Sequence, residues 1–164
     1  MEQKPLGIDG SGYEILKNAV LDLLNVFPGL NDDLITFSGL SEDGGISMEP
    51  DSGTLIYKEK RDITGGVSRE CQFPFFVVYR SGASSPALKM GISEFLDILS
   101  AWLCREPVTI DGKTYQLTEY PNLTGGRAIT HATRFNSYAL DPNPNNTQDW
   151  VVPITVHYKH EFNV

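Results

Sequence analysis

The chain has 164 residues, of which 40% are hydrophobic and 21% charged, and a formal net charge of −8. Such a length suits one domain spanning 1–164, which buries roughly 70% of the surface its unfolded chain exposes, and argues against two. No apolar stretch approaches the ~18 residues of a membrane span, and the acidic balance argues against a nucleic-acid-wrapping surface, which needs clustered Lys and Arg.

The opening segment MEQKPLGIDG carries no hydrophobic run behind its lysine. It reads as a flexible stretch over residues 1–10 without a secretory signal, which points to the cytoplasm. The first regular element is a helix from about Ser11 to Phe27. Ser11 and Glu14 form a capping-box pattern, and Leu16, Ala19, Val20, Leu23, Leu24 and Phe27 recur at helical spacing before Pro28 and Gly29 stop it.

Residues 31–53 are rich in Gly, Ser, Asp and Pro, and read as a long acidic loop with one or two short strands near 34–37 and 46–48. Between Lys17 and Lys58 there is no basic residue, while Asp22, Asp32, Asp33, Glu42, Asp43, Glu49 and Asp51 all fall there. These carboxylates lack the alternating ligands and closing Glu of an EF-hand loop.

Strand signals resume at Thr54–Ile63, turn at Thr64-Gly65-Gly66 and continue through Ser68–Ser81, a long antiparallel hairpin. In the second strand Cys71, Phe73, Phe75, Val77 and Tyr79 point one way and Phe76 and Val78 the other, so both faces need covering. A second helix spans about Pro86 to Cys104, with Ser85 as N-cap, Pro86 at the first helical position, and a stripe of Leu88, Ile92, Phe95, Leu96, Leu99, Trp102 and Leu103. The widely spaced Cys71 and Cys104 read as small buried hydrophobes rather than a disulfide.

Asp111-Gly112 marks a two-residue turn between short strands. Two longer strands follow, Arg127–Tyr138 and Trp150–Phe162, separated by a Pro- and Asn-rich loop over 139–149. In the last strand Trp150, Val152, Ile154, Val156 and Tyr158 form the face expected under the helices. Pro153 and Pro74 cannot donate ladder hydrogen bonds and point to edges or bulges. The whole reads as an α+β fold, a mostly antiparallel or mixed β-sheet with two main helices packed on it.

Chemistry is hard to find. His157 and His160 lie three apart in a strand and so face opposite ways, and His131 has no Cys or His at ligand spacing, so no metal is indicated. Neither Thr-Gly-Gly turn is followed by Lys-Ser or Lys-Thr or leads into a helix, which excludes a phosphate-cradling loop. No G-x-S-x-G elbow occurs. No cofactor and no catalytic residue is assigned, and the chain is read as not an enzyme.

Taken together, FSGLSEDGGISMEPDSGTLIYKEKRDITGGVSRECQFPFFVVYR, EFLDILSAWLC, YPNLTGG, TRFNSY and QDWVVPITVHYKHEF resemble the minor capsid or tail terminator (tail completion) proteins of long-tailed phages and prophages of Gram-positive bacteria. Members of that group sometimes carry the label chloramphenicol resistance or acetyltransferase protein. The resemblance covers about Ile15 to Phe162 and rests on overall texture. It implies a subunit of a six-membered ring on the end of the tail tube, located in the virion tail, with the tail tube protein and the head–tail connector as partners and DNA passing through without specific binding. A head completion or connector protein is the alternative within that class, and a small acyltransferase is the rival outside it. The acyltransferase motif H-x-x-x-D is absent: His131 leads to Phe135, His157 to Glu161 and His160 to Val164.

Ring assembly would use a sheet edge and an apolar surface on one copy against a different surface on the next. Phe73, Phe76, Val78, Pro153 and His157 are the candidate contact residues. Glu42, Asp43, Glu49 and Asp51 are candidates to face the channel, where carboxylates would repel passing DNA phosphates.

Overall fold

In the computed structural model, which describes residues 4–30, 33–82 and 86–164, two strands of sixteen residues form the spine of the molecule. They are β5 (Gly66–Ser81) and β10 (Gln148–Asn163), antiparallel along their whole length from Gln148 opposite Ser81 to Asn163 opposite Gly66. At ~3.3 Å per residue this ribbon is roughly 50 Å long.

Shorter strands flank it in succession. On the free side of β5, strand β4 (Leu55–Arg61) pairs with the hairpin half and β3 (Gly45–Pro50) with the other half. On the free side of β10, β8 (Arg127–Arg134) and β9 (Tyr138–Ala139) do the same. Strand β1 (Gly7–Ile8) pairs with β4, and β2 (Ile35–Phe37) runs parallel to β3, so the eight-stranded sheet is antiparallel except for one pair. A separate hairpin, β6 (Val108–Ile110) and β7 (Lys113–Tyr115), turns at Asp111-Gly112, both with positive φ, as an Asp-Gly turn requires.

The helices α1 (Gly12–Leu24) and α2 (Pro86–Leu103) enclose one core with the sheet. From α1 come Leu16, Val20 and Leu24; from α2, Ile92, Leu96, Leu99 and Trp102; from the ribbon, Phe73, Phe75, Val77, Val152, Ile154, Val156 and Tyr158. The N-cap expected at Ser85 and the side chain of Leu88 lie outside what the structure describes. Ile35, Ile46 and Met48 place part of the acidic 31–53 region in the core as well. Asn25 ties that region to α1, its side-chain amide donating to the Ile35 carbonyl at 2.9 Å and its Oδ1 accepting from the Ile35 N–H at 2.8 Å.

Three expectations need correction. Residues 7–9 are built into the sheet rather than flexible: β1 is hydrogen-bonded to β4, and Asp9 is 3% exposed. Ser11 makes no side-chain cap on α1; its Oγ accepts instead from Arg127 Nη2 at 3.0 Å. The proline-bearing strands are central, not edges. In an antiparallel ladder a residue's N–H and C=O face the same neighbour. The Pro153 carbonyl accepts from Phe135, so its missing donor falls in the gap between β8 and β9. The Pro74 carbonyl accepts from Asp51, so its missing donor falls between β3 and β4. Each proline sits where the flanking strand changes and no partner is lost.

Candidate functional site

Parity along β5 and β10 decides which side chains reach the face that carries no helix. Phe76 lies opposite Pro153, Val78 opposite Val151, and Gln72 opposite His157, so Phe76, Val78, Pro153 and His157 share that face. Phe73 does not. It has the other parity, is fully buried, and packs its ring edge-on to Tyr13 at 6.1 Å and against Phe75 at 5.5 Å. As a core residue it is removed from the candidate contact set.

The helix-free face has two parts. Near the Arg80 end it is closed: Ser47, Val78 and Val151 are buried, Arg80 makes a two-pronged ion pair with Asp149 at 2.7 and 2.9 Å, and Arg80 Nη1 also donates to the Ser41 carbonyl. Asn145 donates to the Glu42 carbonyl at 3.1 Å, so the loop before β3 and the loop before β10 are joined there. Further along, Gln72, Pro74, Phe76, Pro153, Thr155 and His157 are half-buried.

At this open part the rings of His131 and His157 stack, with centroids 4.2 Å apart and planes 8° from parallel. They are register partners across β8 and β10, just before a shift in the ladder at His157/Tyr158. Thr133 Oγ1 lies 3.1 Å from His157 Nε2 and Thr130 Oγ1 lies 3.0 Å from His131 Nδ1. Burial, followed by the neighbouring His131, holds the His157 imidazole below the usual histidine value. Sequence reading places the two histidines in separate strands with no connection. Only the register brings them together, and a bulge makes it unreadable from periodicity.

A second polar cluster lies inside. Asp9 Oδ1 accepts from Arg127 Nη2 at 2.7 Å, and Asp9 Oδ2 accepts from Arg127 Nε at 3.0 Å and from the Tyr158 hydroxyl at 2.7 Å. Burial pushes the Asp9 carboxyl up, but the Arg127 and Tyr158 hydrogen bonds together outweigh it and hold the group below its ordinary value. A Cβ on Gly12 would collide with the Asp9 carboxylate, so a side chain where α1 starts would force this pair to shift. The cluster pins the N-terminal strand to the end of β8.

The four acidic candidates do not converge. Glu42 and Asp43 are exposed before β3, Asp51 is exposed after it, and β3 itself covers about 20 Å. Glu49 is half-buried, accepting from Ser47 Oγ at 2.6 Å and Ser38 Oγ at 3.0 Å. Among the described residues no three His, Cys, Asp or Glu side chains come together as a metal site would require. Cys71 and Cys104 are free thiols, each pushed up to about 11 by burial.

No family model matches the chain, and no curated protein matches it. Among solved structures it is similar to a chain of the virion of a native gene transfer agent particle, with a TM-score of 0.56 and 12% identity over 89% of this chain and 96% of that one. At that identity the likeness is one of fold: the same arrangement of strands and helices over nearly the full length of both chains.

Proposed function

We propose that this chain is a structural component of a phage-type virion that terminates or completes the tail, assembling as a six-membered ring at the end of the tail tube and contributing to the head–tail joint. The observation that carries the reading is the shared fold with a chain of a gene transfer agent virion across 96% of that chain. The half-buried Phe76, Pro153 and His157 on the helix-free face are the supporting feature, as the surface against which another copy would dock. In this reading copies of the chain contact each other, the tail tube protein and the connector, and DNA passes without being gripped.

The test is co-expression with the tail tube protein, followed by electron microscopy. Tubes ending in a ring of this chain, and tubes of uncontrolled length without it, are the expected pair of results. Unchanged tube lengths with no chain at the ends would overturn tail termination. A ring found on the portal side of the head instead would favour the head completion alternative, and specific acetyl-CoA binding by the isolated chain would favour the acyltransferase.

A further inference from the structure

A hollow of about 440 Å³ on the helix-free face lies at one level of the ribbon where both flanking ladders slip. β4 shifts register between Ile56 and Lys58, and β8 shifts against His157/Tyr158. The extra residues, Tyr57 and Thr130, both line the hollow. Paired bulges at one level bend the flanking strands and re-aim side chains there.

The groups facing the hollow are the stacked imidazoles of His131 and His157, Tyr57 and Lys58 from β4, Glu70 from β5 and Lys159 from β10. Lys58 is only loosely paired with Glu70, at 3.7 Å, and Lys159 has no carboxylate partner among the described residues. On a chain of net charge −8 this is a locally cationic hollow lined with N–H and O–H donors.

Its complement is on the same chain. Glu42 and Asp43 are exposed and have no cation partner among the described residues. Their loop is nevertheless held by its own backbone: the Ser41 carbonyl by Arg80, the Glu42 carbonyl by Asn145, and Gly44 by the Ser41 hydroxyl, which accepts from its N–H at 3.3 Å. A loop already ordered, with both carboxylates pointing out, loses little entropy on docking. It cannot reach its own chain's hollow. Arg80, which anchors it, stands nine residues along β5 from Cys71 at the hollow, about 30 Å in an extended strand.

We propose that the hollow bounded by Lys58 and Lys159 receives the Ser41–Gly44 loop of a second copy of this chain. This rests on the ring reading above and names the two surfaces that meet. Because the two surfaces differ and stand far apart on one copy, the contact can repeat head to tail, and such a repeat gives a ring where its rotation closes.

Charge exchange tests it on the full chain by sedimentation velocity up to millimolar concentration. The wild type should self-associate, more weakly as salt rises. Lys58→Glu with Lys159→Glu should weaken self-association by about tenfold or more, and so should Glu42→Lys with Asp43→Lys, each staying folded by circular dichroism. An equal mixture of the two variants should restore association, since every contact between unlike copies again pairs opposite charges. A monomeric wild type, variants that associate as the wild type does, or a mixture that stays apart would overturn the assignment. So would histidine resonances that move with inorganic phosphate but not with protein concentration, which would make the hollow a small-anion site. None of these outcomes decides whether the chain sits on tail ends, which the microscopy reads separately.

Discussion

The two faces of the β5–β10 ribbon share one backbone and one register, yet they are built to different ends. On the helix side Phe73, Phe75, Val77, Val152, Ile154 and Val156 are at most 1% exposed. On the other, one residue out of step, Gln72, Pro74, Phe76, Thr155 and His157 are half-buried, and one end is closed by the Arg80–Asp149 ion pair over the buried Val78 and Val151. One face has its partner within the chain. The other is finished only where the loops at 41–44 and 141–147 meet: there Val78 is buried, while Phe76, Pro153 and His157 lie beyond that point and stay half-buried.

The contrast can be broken at its extremes. Phe73→Ala should cost about 3–5 kcal/mol of unfolding free energy, as large aromatic deletions in tight cores do. Phe76→Ala should cost about 1 kcal/mol or less and change assembly instead of stability. Equal losses in urea titrations of the two variants would erase the distinction between faces. Arg127→Ala should rival the core deletion, at about 3–5 kcal/mol, because it strands the Asp9 carboxylate, whose side chain is 2% exposed, without its cation.

Tyr158→Phe sharpens the same point with a smaller change. It removes only the hydroxyl that donates to Asp9 Oδ2, and about 1–3 kcal/mol should be lost. Acid offers a test that touches the open face. His157 binds its proton less readily folded than unfolded, so its contribution is full above the ordinary histidine value of 6.5 and falls as pH drops below it. His160 behaves alike, lowered by burial and then by Arg127. Each group adds a slope of at most about 1.4 kcal/mol per pH unit. His157→Gln should flatten the loss of stability between about pH 7 and pH 5, measured by urea unfolding, and an unchanged slope would show that the stacked pair is not desolvated. The smallest effect is expected at Pro153→Ala, within about 0.5 kcal/mol, because the restored N–H faces the gap between β8 and β9.

Much of the fold was legible in the chain, and for a common reason: neighbours in sequence carried the signal. The Gly-Gly turn joins β4 to β5, Asp111-Gly112 closes β6 and β7, α2 shows its stripe from Ile92 to Leu103, and the alternation from Trp150 to Tyr158 identifies the core face of β10. The face of Phe76, Val78, Pro153 and His157 follows from the same alternation, while Phe73 carried equal hydrophobicity and the wrong parity.

What the sequence determined by itself was therefore periodicity: where the helices and strands lie and which side of each is apolar. Tertiary structure alone decided the partners. Arg127 meets Asp9 across 118 positions, His131 meets His157 through a bulged register, and two prolines sit in central strands because flanking strands break opposite them. Such pairings depend on which strands become neighbours and in what register, and a local pattern holds no record of either, since many registers bury the same apolar face equally well.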